Sequence, residues 1–214
     1  MQMSSFQVIL ATDDQGTLAM DGALPWNCPD DMKYFRSVTS YTPVPGGESY
    51  NIVICGRKTW DSMGRRTLPG RRLFVISKQI KQQSMEYFPD VQIFPDFHSA
   101  VGVALKDTQC HQVWVIGGKS VYLQAFYHPA CGSIYWNQIH TTNPVLLEQP
   151  NQNVTRLETS EALYRVHTNV VSPNRNVTFR IGTMGGAEIQ YLRLLSDILY
   201  HGTLRATRNA HTLS

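Results

Sequence analysis

The sequence predicts an α/β fold, a mostly parallel sheet with helices on its faces, and two observations carry that prediction. Short β-rich runs alternate with helical patterns, and several runs, such as Val113 to Ile116, are apolar at every position. A strand that is apolar on both sides must be covered on both sides, as in a parallel sheet between helical layers. The chain has 214 residues, 42% hydrophobic and 16% charged, which describes one folded domain with a sizeable core and a short appendage.

In chain order the strand runs are "FQVILA" from Phe6, "NIVICG" from Asn51, "RLFVIS" from Arg72, "VQIF" from Val91, "QVWVIGG" from Gln112, "SIYWNQI" from Ser133 and "VTFRIG" from Val177. Two polar stretches, "YTPVPGGESY" from Tyr41 and "HTTNPVLLEQPNQNVT" from His140, read as surface excursions. Beyond Gly182, "TMGG" is a breaker, and "AEIQYLRLLSDILYHG" has apolar residues at Ile189, Leu192, Leu195 and Leu199, an amphipathic helix ending at Gly202. The expected organisation is one domain over residues 1–183 and a separate linker and helix over 184–214.

The first helix is the informative one. In "LPWNCPDDMKYFRSVT", Leu24 to Thr39, Pro29 suits a first turn and Asp30 and Asp31 suit the positive N-terminal end. At about 100° per residue, Met32, Val38 and Thr39 fall within about 60° of Phe35, and Asp31 about 40° from it, inside the apolar stripe; Asp30 falls about 140° away. Asp31 then has two readings. It is either a helix-start carboxylate satisfied by backbone N–H groups, or an acid held among Trp26, Met32 and Phe35 whose ionised form is disfavoured and which exchanges protons near neutrality.

Strand ends supply a second constellation. "VWVIGGKSVYLQAF" places Gly117 and Gly118 between a buried strand and a helix start, an arrangement that brings backbone close to a phosphate and aims N–H groups at it. "VICGRKTWDSM" repeats the order at Gly56 and adds Arg57, Lys58 and Thr59, and "RLFVISK" ends in Ser77 and Lys78. Three such strand ends suggest a dinucleotide across the sheet edge, the cations favouring NADP over NAD.

Other chemistries find little support. A formal charge of +3 without a basic arm gives no reason to expect nucleic acid. Cys28, Cys55, Cys110 and Cys131 are far apart and read as reduced thiols, and the histidines lack metal-binding spacing, so no metal is expected. The start of the chain has no basic region before an apolar core, and no long apolar run follows, so a cytoplasmic chain without membrane contact is expected. The sequons at Asn153 and Asn176 read as ordinary polar residues.

Taken together, "VILATDDQGTLAMDGALPWNCPDDMKYF", "VICGRKTWDSM", "LPGRRLFVISK" and "VIGGKSVYLQAF" resemble the dihydrofolate reductase family, in family order, across residues 6 to 182. The resemblance implies an eight-stranded, mostly parallel sheet with an antiparallel C-terminal edge strand, NADPH as cofactor, dihydrofolate as substrate and antifolate-type inhibitors as further ligands. It implies that Asp31, with Trp26 and Asn137, forms the catalytic group, Asp31 binding the pterin and promoting protonation of N5. Ile9, Ala11, Met32, Phe35, Arg36, Met63, Leu68, Arg71, Ile116 and Tyr122 are implied on the substrate side, Arg71 pairing with the glutamate α-carboxylate. Ala11, Leu18, Leu24, Gly56, Arg57, Lys58, Thr59, Ser77, Lys78, Gly117, Gly118, Lys119, Ser120, Val121 and Tyr122 are implied on the cofactor side, with Gly117 and Gly118 joined by a cis peptide.

Three positions depart from the family pattern: Asn137 where a threonine is general, Ala19 where glycine is usual, and the side chains of Lys119 and Ser120 after the glycine pair. The tail from Glu188, including Arg208, resembles the N-terminus of thymidylate synthase. That implies a fragment of a bifunctional reductase and synthase without synthase activity, able to self-associate through the tail helix or the missing synthase part. Another pterin or pyrimidine reductase of the same fold, and a non-catalytic folate or NADPH-binding module, are the alternatives.

Overall fold

A computed structural model describes residues 3–43, 48–79, 88–140, 153–157 and 164–185. The elements are β1 (Phe6–Asp13), β2 (Thr17–Met20), α1 (Pro29–Ser40), β3 (Tyr50–Gly56), α2 (Arg57–Ser62), β4 (Arg71–Ile76), β5 (Val91–Phe94), α3 (Phe97–Ala104), β6 (Cys110–Val115), α4 (Lys119–Tyr127), β7 (Cys131–Ile139), β8 (Val154–Arg156), β9 (Tyr164–Val171) and β10 (Val177–Met184). Eight strands form one sheet in the order β5-β4-β3-β6-β1-β7-β10-β9, and β2 pairs with β8 apart from it. From β5 to β7 every pairing is parallel. β10 runs antiparallel to β7, and β9 antiparallel to β10, so the edge itself is β9 and β10 lies one strand inside it.

Side chains that alternate along the strands divide the interior into two cores. Val8, Leu10, Ile52, Ile54, Val113, Val115 and Ile134 face α3 and α4, where they meet Ala100, Val101, Val121, Ala125 and Phe126. Ile9, Val53, Cys55, Leu73, Val75, Trp114 and Ile116 face the other way, against Phe35 and Val38 of α1 and Trp60 and Met63 from α2 and its end. Each fully buried aliphatic or aromatic side chain contributes roughly 1.5–3 kcal/mol. The two-sided apolar strands and the helical layers therefore account for each other.

All seven expected strands form, and three others were not anticipated. β9 reads "YRVHTNVV" and is exposed at every position after Tyr164, so no apolar alternation marks it. β2 and β8 are too short for a period to show. The expected tail helix and Arg208 lie outside the described residues, as does most of the stretch after His140. Among the described residues no helix is long and apolar enough to cross a membrane.

Candidate active site

Asp31 lies in the first turn of α1, 5% exposed, at the carboxyl end of the central strands. The N-cap of α1, Cys28, makes no side-chain cap. The Asp31 carboxylate instead accepts a hydrogen bond from Asn137 Nδ2 at 2.7 Å, the one hydrogen bond its side chain makes among the described residues. That removes the reading of Asp31 as a helix-start carboxylate satisfied by backbone. Burial raises its pKa above the ordinary carboxyl value, and the Asn137 amide opposes the rise only in part. Asp30, its neighbour in sequence, is half-buried, and among the described residues its side chain meets only Asn174 Nδ2, at 3.4 Å.

Asn137 occupies this position because β7 lies between β1 and β10, in register with Ala11 on one side and Phe179 on the other. Ala11, Trp26 and Phe179 pack in one small cluster on that face. Two buried polar atoms there, Asn137 Oδ1 and Trp26 Nε1, have no hydrogen-bond partner among the described residues. An acid of raised pKa thus sits at one end of an apolar wall formed by Ile9, Phe35, Met63, Leu68 and Ile116, which share one core cluster.

Met32 corrects the helical-wheel expectation, since it is 51% exposed rather than part of the buried stripe. Asp31 and Thr39 are buried, and Tyr34 and Val38 are half-buried, so the stripe is centred on the Val38 side of Phe35. Met32 falls on its opposite rim. Of the residues implied on the cofactor side, Leu24 is exposed and Leu18 is buried in the core that packs on α3 and α4. Val121 is likewise in that core, its methyl group against Gly56.

Tyr122 is buried, its hydroxyl 2.9 Å from the Ile9 carbonyl oxygen and 2.7 Å from that of Ile116. It ties β1 to the end of β6, beside the glycine pair. Gly117 and Gly118 are joined by a cis peptide, and Gly117 has φ 107°. A Cβ on Gly117 would stand 2.7 Å from the Tyr122 ring, so both backbone and space require glycine. The Gly117 carbonyl accepts from Gly56 N–H at 2.7 Å, fastening the ends of β6 and β3 together.

Gly56 and Gly118 are the N-caps of α2 and α4, neither with a side-chain cap. With Ser77 and Lys78 after β4, three adjacent parallel strands end in this patch, with Thr59 beside Gly118 and Lys119 and Ser120 opening α4. The cations differ in availability. Arg57 is engaged by Asp61 at 2.9 Å, whereas Lys58 and Lys78 are exposed and have no ion-pair partner among the described residues. Backbone that approaches closely, uncapped helix starts and unpaired lysines fit a phosphorylated dinucleotide.

Arg71, 6% exposed, is held by two acceptors, Thr39 Oγ1 at 2.7 Å and the Pro69 carbonyl at 3.3 Å. Burial, followed by the nearby Arg36 charge, lowers its pKa. No carboxylate pairs with it among the described residues, so the guanidinium is fixed in place with its charge unbalanced. Sequence reasoning missed the residues that hold it. Asn51 Nδ2 donates to the carbonyls of Thr39 and Tyr41, at 2.8 and 2.9 Å, and so fixes the end of α1 against β3. An asparagine opening an otherwise apolar strand was the available signal.

The fold and these residues define an α/β protein whose sheet carries a buried acid, an apolar cluster and glycine-bearing strand ends of the kind that hold a nucleotide. The family model described as dihydrofolate reductase matches residues 5–162. A dihydrofolate reductase of Heliothis virescens is 33% identical over 141 residues, which are 65% of this chain and 75% of that protein. A bifunctional dihydrofolate reductase-thymidylate synthase of Daucus carota is 34% identical over 140 residues, 63% of this chain but only 26% of that protein. The chain belongs to the dihydrofolate reductase family. A solved dihydrofolate reductase from Enterococcus faecalis, complexed with NADP(H) and RAB-propyl, has the same fold, with a TM-score of 0.64 at 22% identity over 87% of this chain and 100% of that one.

Proposed function

We propose that the chain reduces 7,8-dihydrofolate to 5,6,7,8-tetrahydrofolate with NADPH, and that Asp31 binds the pterin and promotes protonation of N5. The observation that carries this reading is Asp31 itself: a buried acid of raised pKa, held by one amide and set at the end of an apolar wall. When bound, NADPH supplies the hydride. The chain's own residues do the rest. Asp31 orients the amino edge of a flat heterocycle and favours its protonated form, since an acid poised above the ordinary carboxyl range transfers protons nearer neutrality. Ile9, Phe35, Met63, Leu68 and Ile116 exclude water from both sides of the ring. Arg71, with Arg36 nearby, receives the glutamate α-carboxylate through a planar guanidinium.

Membership of the family supports binding of folate and of antifolate-type inhibitors in this cleft. We read the tail as the start of a synthase part and as a means of self-association; the likeness to bifunctional relatives, of which the match spans about a quarter, is consistent with the first of these.

Steady-state oxidation of NADPH in the presence of dihydrofolate tests the reading. Turnover is expected with dihydrofolate and not with a pyrimidine substrate lacking the glutamate tail. Turnover of another pterin or pyrimidine alone would assign a different reductase, and binding without turnover would make the chain a ligand-binding module.

A further inference from the structure

Asn51 is fully buried near the start of β3, ahead of the apolar run 52–55. Its register neighbour on β4 is Arg71, yet the two side chains share no hydrogen bond. Asn51 Oδ1 is buried without a partner among the described residues, and Arg71 donates to Thr39 and Pro69. The amide is aimed at α1 instead. Its Nδ2 donates to the carbonyls of Thr39 and Tyr41 at 2.8 and 2.9 Å. Those carbonyls belong to the end of a helix whose C-cap, Tyr41, is extended and so provides no left-handed turn to satisfy them. An apolar side chain at this position would continue the run along β3 and leave both carbonyls unmatched.

Thr39 passes the constraint to Arg71. Its hydroxyl donates to the Phe35 carbonyl at 2.7 Å, which commits the proton and turns a lone pair of Oγ1 toward Arg71 Nη1, also at 2.7 Å. With Nε–H taken by Pro69 and one Nη1–H by Thr39, two of the five guanidinium N–H bonds are spent among the described residues and three remain for an incoming carboxylate.

We infer that Asn51 is a positioning residue for substrate selection: acting through Thr39, it sets the direction of the Arg71 guanidinium and so the preference for a ligand that ends in a carboxylate. This rests on the reading of Arg71 as the receiver of the glutamate α-carboxylate and deepens it. Asn51 has no exposed surface and touches no ligand, so its influence reaches the substrate only at the end that Arg71 holds.

The test measures equilibrium binding of two ligands to the full chain, 7,8-dihydrofolate and its glutamate α-carboxamide. The carboxamide keeps the ring and the aminobenzoyl group and lacks the α charge. The proteins are wild type, Asn51→Val, Asn51→Ser, Thr39→Val and the double variant Asn51→Val with Thr39→Val. Asn51→Ser keeps one donor where the amide supplies two, and it guards against failure of Asn51→Val to fold. Wild type is expected to bind the acid more tightly than the carboxamide. Asn51→Val should lower dihydrofolate affinity by about threefold to tenfold, the scale of one hydrogen bond, and leave the carboxamide nearly unchanged, with Asn51→Ser between. The double variant should lose no more than Thr39→Val alone, since both substitutions act on one contact. Unchanged binding of both ligands, equal weakening of both, or a double loss equal to the product of the single ones would overturn the inference and spare the reading of Arg71. If wild type binds acid and carboxamide alike, the reading of Arg71 falls and this inference with it.

Discussion

Asn137 Nδ2 lies 2.7 Å from Asp31 Oδ1, and that contact joins the first turn of α1 to the middle of the sheet. It holds the acid where it is buried while leaving the helix start uncapped. An acid placed at a helix N-terminus would ordinarily be held ionised by backbone N–H groups. Here desolvation is the larger influence and the proton is retained to higher pH.

Asp31→Asn is expected to leave the fold intact and to lower turnover at neutral pH by about a hundredfold or more, the range for removing a positioned proton donor. Activity should recover partly as pH falls and solvent protonates the substrate. Asp30→Asn should change little, since the Asp30 side chain meets only Asn174, at 3.4 Å, among the described residues. Equal losses in both variants would show that burial does not distinguish the two aspartates.

The same burial gives Asp31 a stability signature. Its folded pKa is raised, so its favourable contribution is fully present below the unfolded carboxyl value and is lost as pH rises through the folded one. Asp31→Asn stays neutral and can still accept from Asn137. Its melting temperature relative to wild type should therefore rise as pH increases from about 4, the ordinary carboxyl value, through the raised folded pKa. A constant difference across that range would mean that Asp31 is not buried in its neutral form.

How much of this was legible in the sequence follows from where each signal resides. Strands buried on both faces announce themselves by unbroken apolar runs, residues 52–55 in β3 and 113–115 in β6, whereas β9 is exposed after Tyr164 and nothing selects for a pattern. Asp31 could be found because helical spacing alone sets the side it faces. Met32 was misplaced by the same geometry, because the centre of the stripe depends on how α1 rolls against the sheet, and residues distant in sequence determine that. The support of Arg71 by Thr39 and Asn51 is a tertiary fact of the same kind.

Lys78 tests the cofactor side. It is exposed after β4 and without an ion-pair partner among the described residues, unlike Arg57, which Asp61 already engages. Lys78→Ala should therefore lower the preference for NADPH over NADH by about tenfold, since losing one unshielded cation at a phosphate costs on the order of 1–2 kcal/mol. The ratio of kcat/KM values for the two cofactors measures it. An unchanged ratio would locate the 2′-phosphate elsewhere.

Deleting residues 186–214 should preserve dihydrofolate reduction. Every residue assigned to the cleft precedes β10, and β10 ends at Met184. The apolar residues at helical spacing from Ile189 to Leu199 should instead govern solubility or association, so light scattering of the deleted and full chains is expected to differ. Loss of NADPH or folate binding on deletion would place the tail within the reductase.

Arg71 gives the sharpest separation of the two ligands. The guanidinium is buried, fixed by Thr39 Oγ1 and the Pro69 carbonyl, and lowered in pKa by desolvation and by Arg36, so the fold maintains an unbalanced positive charge at this place. A carboxylate arriving there would relieve that imbalance. Arg71→Leu should then weaken dihydrofolate binding by roughly 2–5 kcal/mol, the scale for breaking a partly buried charge pair, and leave NADPH binding nearly unchanged. Thr39→Val keeps the charge and removes one of its acceptors, and its smaller effect, about 1 kcal/mol, should appear in the same ligand only. Titration of each ligand against both variants separates positioning from charge. A matched loss for dihydrofolate and NADPH would make Arg71 a structural residue, because a collapsed α1–β4 contact would disturb the whole cleft while a missing ion pair would disturb one end of it.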